Sequence, residues 1–510
     1  GFGRPSVGAG QPGVSFLDIE QAFLRFTTDQ GLYAVNASQV EHYVGSPINF
    51  WCEVNAPAEE RDPTDLYMQH LQDTGNEHRA DVLRQSYTAA SSRPYYSETE
   101  GFHSTLEMMA NGERHISQMP LWDLTNGLKG NPHVLIRTDS IPSDLGDYSY
   151  HVAEVRSARR ITDAHRLKAA TLNRLLGAIQ GFEPESILII NMDGDHEFVH
   201  MSEFAARLDT VLSEMREVAD GTRAILATHG AAEWPWQSYV NRMAAERRCV
   251  SLVSGVGATM QRTLSDAGLV TVDDLAGADL NALTGLRGIG AKTARRFNSS
   301  AKAISGGQPV PRHNGIEIPT ATTEVFFDFE GSDPRLNQDG LGVVNYLIGA
   351  VIRQRGQEPE FLPFIAHSPA EEETVVRDFI SWANSLDSAL FYHWHNYEKT
   401  HLTKMAVQYG IDPYESQKML GRMVDLHPIA TDAYAFPTYG DGLKNIAKYL
   451  GFSWRQDDVD GLTTVALYHK YLQSGARDGD VMRRILDYNE DDCMATMYVF
   501  DWLRSQANVS

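Results

Sequence analysis

One nine-residue run constrains the chain more than any other: TEVFFDFEG, residues 323–331. Val325, Phe326 and Phe327 are apolar at consecutive positions, which argues for a buried strand rather than a solvated strand end. Asp328 and Glu330 stand two apart, so in a strand both carboxylates aim at one spot. Like charges that close are costly unless a cation neutralises them. Near the other end comes ILDYNEDDCMATMYVFDWL, residues 485–503. Tyr488 and Asp492 are four apart, on one face of a helix, with Glu490 and Asp491 as adjacent spare acids. A helix N-terminus favours acids and accounts for some of these polar residues, not all of them. Between the two runs, LFYHWHNYEKTHL places His395, Asn396 and Glu398 just after an apolar strand.

The chain has 510 residues, of which 42% are hydrophobic and 10% aromatic. At about 100–200 residues per domain this predicts about three domains with real cores. It excludes a disordered, collagen-like or disulfide-framework chain. The formal net charge is −23. A bulk acidic surface repels polyanions and argues against a simple nucleic-acid coat protein; carboxylates that hold metal ions, and a local basic stripe, are compatible with it. Cys52, Cys249 and Cys493 are odd in number and far apart. That points to a reducing compartment, hence the cytoplasm, and against a four-cysteine zinc or iron–sulfur site. The longest apolar runs, such as 187–191 and 347–352, fall far below the roughly 18 residues that cross a bilayer, so no membrane partner is expected. No leader is expected either. The Gly/Pro-rich opening, GFGRPSVGAGQPG, reads as a flexible tail, 1–18.

Hydropathy patterning divides the rest. Residues 19–248 alternate helices with short strands at 134–137, 150–155 and 186–191, and a helix at 163–181, which reads as a mixed α/β layer. Residues 249–303 are rich in small residues and predicted all-helical. Residues 304–321, ISGGQPVPRHNGIEIPTA, hold three Pro and three Gly and read as a linker. Residues 322–510 open on strands at 324–329, 344–351 and 389–393, with helices in the second half. The fold class is therefore multidomain α/β.

Two stretches of the middle segment share one form, apolar-x-Gly-apolar-Gly followed by a helix: LVSGVGATMQRTLSDAGL and LTGLRGIGAKTARRF. A glycine at a helix N-terminus lets backbone N–H groups approach an anion closely. Arg287, Lys292, Arg295, Arg296 and Lys302 lie here with no acid among them. The pattern resembles the helix-hairpin-helix module, which holds a nucleic-acid backbone without reading sequence. It implies nucleic-acid contacts at Gly288, Gly290, Lys292, Arg295 and Arg296; the alternative is a glycine-turned helix pair used for packing.

Asp-x-Glu on a first strand, an acid after a second strand and Tyr-x-x-x-Asp on a late helix together resemble DnaQ-type 3′–5′ exonucleases of RNase H-like fold. The whole layout, with VDLHPIA, YGDGLKNIAKYLGF and DYNEDDC, resembles RecB-family nucleases that join a RecB-type PD-(D/E)XK domain, a helix-hairpin-helix and a YprB-like DEDD exonuclease domain. The resemblance implies that Asp328, Glu330, Glu398 and Asp492 bind two divalent metals, Mg²⁺ or Mn²⁺. Glu398 stands where that pattern usually has Asp. Tyr488 would orient or help activate the attacking water. Hard cations prefer oxygen ligands, and a pair about 3.5–4 Å apart both activates water and stabilises the leaving oxygen. Asp425, in VDLH, is a possible extra acid or, more simply, a strand-end cap. Trp394 and Tyr397 are candidates to stack on terminal bases, or core residues beside the strand.

In the first domain, DTGNEHRADVL resembles the Gly-x-x-His helix of the RecB type, with Gly75 and His78. GNPHVLIR would be the strand bearing the metal-binding Asp, yet His133 takes its place. YHVAEVRSA would be the (D/E)-x-K strand, with Glu154 present and Arg156 in place of Lys. Lys168 and Leu172 stand where the family tends to have Gln and Tyr. Arg cannot readily trade a proton with water, so the domain is expected to be catalytically degenerate, a scaffold or nucleic-acid holder. The rival is a divergent live site of His78, Glu154 and Arg156 with Glu77 or Asp139. Arg156, Arg159, Arg160, Arg166 and Lys168 are candidates to line a strand-binding groove, or an ordinary solvated helix face. Only Cys249 remains of the cysteine cluster that related chains carry before the hairpins, so no iron–sulfur cluster is expected.

The expected activity is divalent-metal-dependent hydrolysis of DNA, 3′ to 5′, on single strands or frayed ends. RNA ranks second as substrate. A non-catalytic nucleic-acid-binding subunit of a repair or defence assembly, with protein partners, is the remaining alternative.

Overall fold

The computed structural model describes residues 17–87, 90–336 and 342–507, so most of the expected tail, 1–18, lies outside the described residues. The described chain forms two units. One holds the chain up to Asp62, Gln72–Leu226 and Ala232–Trp236; the other holds Pro63–Leu71, Ala227–Ala231 and the chain from Gln237 onward.

The first unit is built on a five-stranded sheet in sequential order: β1 (His115–Ser117), β2 (Val134–Thr138), β3 (Ser149–Val155), β4 (Ser186–Ile190) and β5 (His196–His200). The β3–β4 pair is parallel and the other pairs are antiparallel, so the sheet is mixed. A parallel pair needs a crossover, here supplied by the helix Asp163–Gln180. Thr162 opens that helix, its side chain accepting the His165 N–H, and Gly181 at φ +66° ends it in the left-handed region. Its buried face carries Leu167, Leu172, Leu175, Leu176 and Ile179.

In the second unit, four helices, Ala258–Asp266, Val272–Ala276, Leu280–Thr284 and Ala291–Gly306, pack around Val256, Leu264, Leu275, Ile289 and Phe297. The stretch 304–321 is anchored at 310–312: Val310–Pro311 pairs with Tyr434–Ala435, and the Arg312 guanidinium donates to Ser299, Ser300 and the Arg296 carbonyl. A second sheet follows, in the order β8–β7–β6–β9–β10. Its strands are β6 (Thr323–Gly331), β7 (Asn345–Gln354), β8 (Glu360–Ile365), β9 (Ala389–His393) and β10 (Met423–Asp425). β6 is central, antiparallel to β7 and parallel to β9. A central strand covered on both sides must be apolar on both. Accordingly Val325, Phe327 and Phe329 enter one core, and Phe326 enters the other. By the two-residue period, Asp328 and Glu330 share the face of Phe326. That face is covered by the long helix Gly479–Ala507, which buries Tyr488, Cys493, Val499 and Phe500 against it. Among the described residues, no helix is long and apolar enough to cross a membrane. Cys52, Cys249 and Cys493 are buried free thiols.

Candidate active site

β6 carries Asp328 and Glu330 to the sheet face, and the helix Gly479–Ala507 lowers Asp492 onto them. The three residues each bring a carboxylate oxygen within 4.8 Å of the others. Among the described residues, the side chains that hydrogen-bond them are neutral. Asn489 Nδ2 donates to Asp328 Oδ2 (3.2 Å), to the Asp328 carbonyl (3.3 Å) and to Glu330 Oε1 (3.5 Å). Thr464 Oγ1 donates to Glu330 Oε2 (2.9 Å), and Trp454 Nε1 to Asp492 Oδ1 (2.7 Å). Tyr488, one helical turn before Asp492, also favours its carboxylate form. Lys444 Nζ lies 5.8 Å from the ring centres of both Trp454 and Tyr488, and its charge favours the Asp492 carboxylate.

With no cation directly paired among the described residues, burial and mutual repulsion dominate. Asp328 is raised well above the carboxylate range by burial and then by Asp492, Glu330 and Glu398. Glu330 is pushed up to about 8 by burial and Asp492, and Asp492 to about 7 chiefly by burial. The Tyr488 hydroxyl is raised by burial and by the same three acids. Such a cluster binds a positive ion eagerly, because the ion removes the repulsion that otherwise forces protons on.

Glu398, in the first turn of the helix Tyr397–Gln408, is 3% exposed. It stands outside the group of three, near enough for its charge to raise Asp328. His393 Nδ1 lies 3.5 Å from its Oε2, and that buried oxygen has no aligned hydrogen-bond donor among the described residues. Asp425 is a cap: one Oδ1 accepts the N–H of His427 and of His395, each at 3.0 Å. Glu490 and Asp491, the spare acids, are taken by Arg455 at 2.8 and 2.9 Å. Trp394 is buried edge-on against His427, a core position, while Tyr397 is 40% exposed and donates to Asn345.

Gly349 faces Asp328 across the β6–β7 ladder. A Cβ there would fall 1.6 Å from Asn489 Oδ1, so only glycine lets that helix come so close. Asn489, Thr464, Trp454 and Lys444 escaped the sequence reading. Asn489 and Lys444 sit inside runs already singled out, but nothing in the sequence marked them. Thr464 and Trp454 are neutral and remote along the chain, with no pattern to find them by.

Residues 325–504 match a family model of the RNase_H superfamily. The C-terminal domain is RNase H-like. Residues 250–302 match the SAM-like helix-hairpin-helix tandem model. No curated protein matches the chain. RNase H-like nucleases generally use divalent metals, and an RNase H-like domain with helical hairpins fits a nuclease that binds nucleic acid.

The two hairpins repeat one backbone. Gly255 and Gly288 take φ of +88° and +83°, values that favour glycine. Gly257 and Gly290 then cap the helices Ala258–Asp266 and Ala291–Gly306 with no side-chain hydrogen bond. Their first N–H groups are thus uncapped by side chains. Lys292 and Arg295 are exposed beside Gly290. Arg296 is not presented with them: it is half-buried and pairs with Asp432 at 2.8 Å.

In the first unit, His133 and Glu154 do come together. The His133 N–H donates to Glu154 Oε1 (2.9 Å), and its Nδ1 accepts from the Val155 N–H. The cation beside Glu154 is the protein's own: Lys168 Nζ lies 3.0 Å from Glu154 Oε2. Burial works to raise Glu154, but His133 and Lys168 outweigh it and hold it at about 2. Burial drives His133 down to about 4. The other two candidates point elsewhere. Arg156 pairs with Glu41 (3.1 Å), and His78 Nε2 donates to the Asn191 carbonyl (3.1 Å). Asp139 is turned to Arg137. Within the basic stretch 156–168, Arg159 pairs with Asp193, and Arg166 with Asp163 and Glu197.

Proposed function

We propose that the chain is a divalent-metal-dependent nuclease that hydrolyses DNA phosphodiester bonds from the 3′ end of single strands or frayed ends, through its C-terminal domain. One observation carries this reading: three carboxylates converge on one spot, hydrogen-bonded by neutral side chains and with no directly paired cation among the described residues. A protein that merely bound nucleic acid would gain nothing from buried acids that repel phosphate. The donor set fits hard cations such as Mg²⁺ or Mn²⁺, since all candidate ligands are carboxylate oxygens.

Asp328, Glu330 and Asp492, with Glu398 beside them, would hold the ions, which when bound supply an activated water and neutralise charge on the leaving 3′-oxygen. The remaining work belongs to the chain. Asn489 fixes Asp328 and Glu330 against one another, and Thr464 and Trp454 fix the outer oxygens of Glu330 and Asp492. Tyr488, one turn from Asp492 and kept protonated by burial, presents a hydroxyl suited to orienting water. The hairpins would grip the backbone through Gly290 and its helix N-terminus, with Lys292 and Arg295 adding charge.

The same reading keeps the division 1–18, 19–248, 249–303, 304–321 and 322–510. It treats 19–248 as a degenerate RecB-type PD-(D/E)XK domain in which the Lys168 ammonium stands in for a metal. The cytoplasm is the proposed site of action, in keeping with three buried free thiols.

The test is digestion of 5′- and 3′-labelled single strands, duplexes and matched RNA with Mn²⁺ or Mg²⁺. The expected result is a 3′-shortening ladder on DNA that falls by about 10³-fold or more in Asp328→Ala, the scale of several kcal/mol of lost stabilisation. Digestion unchanged in Asp328→Ala but lost in Glu154→Ala would move the chemistry to the first unit. A ladder on RNA alone would change the substrate.

A further inference from the structure

Outside the acid cluster, a second set of ligating atoms converges that the hydrolytic reading does not use. His395, His427 and Asp441 each bring one ring nitrogen or carboxylate oxygen within 4.8 Å of the other two. They come from three different segments: the turn after β9, the first turn of the helix Leu426–Ala433, and the loop before the helix Leu443–Leu450. The two imidazole rings lie 3.7 Å apart between centres, and His427 Nε2 stands 3.2 Å from Asp441 Oδ2. Two ligands on one tetrahedral ion, with bonds of about 2.0–2.2 Å, stand roughly 3.3 Å apart.

Two features make this a prepared site rather than a chance meeting. His427 Nε2 is buried and, despite the nearby carboxylate, has no aligned hydrogen-bond partner among the described residues. A buried ring nitrogen left so is costly unless something binds it. His395 is held at φ +71°, a region non-glycine residues seldom enter. The clamp is Asp425, whose single Oδ1 accepts the backbone N–H of both histidines. That contact fixes the backbone at both histidines. The Asp441 carboxylate is held below its ordinary value first by His427, and also by His395 and by Ser254 of the first hairpin. Ser254 and Asp441 line a cleft of about 350 Å³ with Thr293, Arg296 and Arg312. His395 is exposed and the other two ligands half-buried, so an ion has a way in.

We propose that His395, His427 and Asp441 bind a divalent transition-metal ion of the zinc class, apart from the acid cluster. Two imidazoles and one carboxylate suit Zn²⁺ and disfavour Mg²⁺, which takes oxygen ligands. Three protein ligands leave a fourth position open toward solvent. An ion there joins the turn that leads to Glu398 and the helix capped by Asp425 to the loop that meets the first hairpin.

The test is Zn²⁺ titration of the full chain by calorimetry in excess Mg²⁺, with Co²⁺ absorption as a second readout. The background is Asp328→Asn/Glu330→Gln, which silences the acid cluster. One Zn²⁺ per chain is expected to remain there, with affinity reduced about 100-fold or more by His427→Ala and by the near-isosteric Asp441→Asn. Thermal melts identify a variant that fails to fold; if His427→Ala does, Asp441→Asn decides. No Zn²⁺ binding on that background, or binding untouched by Asp441→Asn, overturns the proposal. Zn²⁺ lost with the acid cluster but kept in His427→Ala would also overturn it, while leaving the nuclease reading intact. Absence of Mg²⁺-dependent digestion would sink that reading and not this one.

Discussion

At the scale of single residues, the account rests on carboxylates kept from ionising by their surroundings. Burial and the neighbouring acids push Glu330 to about 8 and Asp492 to about 7, and raise Asp328 as well. An unfolded chain releases these protons near pH 4. Between about pH 4 and pH 8 the folded, metal-free cluster therefore holds protons that the unfolded chain has lost, so stability falls as pH rises through that window. Melting in EDTA across it is expected to show a falling midpoint, flattened in Asp328→Asn/Glu330→Gln and reversed by Mn²⁺ in the unaltered chain. The same slope in the variant as in the unaltered chain would contradict the mutual repulsion argued here. The acids themselves were legible in the sequence, because Asp-x-Glu and Tyr-x-x-x-Asp carry a period. Their neutral holders were not. Asn489, Thr464 and Trp454 act through one donor each, and a lone donor leaves no pattern along a chain.

At the scale of elements, the site depends on how closely the helix Gly479–Ala507 approaches β7. Gly349→Ala would set a methyl 1.6 Å from Asn489 Oδ1, so the side chain or the helix must move. Overpacking of this kind costs about 1–3 kcal/mol. Urea unfolding is expected to register that loss together with a drop in nuclease activity, since Asn489 spans Asp328 and Glu330. Unchanged stability and activity would show that the helix is not held so tightly. Strands at 134–137, 150–155 and 389–393 were readable to within a residue or two, being short apolar runs bounded by turn residues. β7 extends to Gln354, past the apolar run, because it pairs with β6 to its end. The basic stretches misled for a different reason. Arg296 pairs with Asp432, and Arg166 with Glu197, acids far away along the chain. Charge counted along a sequence does not show which charges the fold will cancel.

At the scale of the whole molecule, two units carry acids in similar settings and handle them differently. In the first, Glu154 is 1% exposed and neutralised by Lys168. In the second, the acid cluster has no paired cation of its own among the described residues. Glu154→Ala would leave Lys168 with an unpaired buried charge, an expected loss of about 3–5 kcal/mol, with metal-dependent digestion retained at temperatures where the variant stays folded. Calorimetry and a digestion assay read both halves of that expectation; lost digestion in a folded Glu154→Ala protein would reopen the first unit as a live site. The central claim is met most directly by anomalous scattering from a crystal soaked in Mn²⁺. The account predicts peaks among the oxygens of Asp328, Glu330 and Asp492, and none at Glu154. Empty density between those three carboxylates at saturating Mn²⁺ would contradict it.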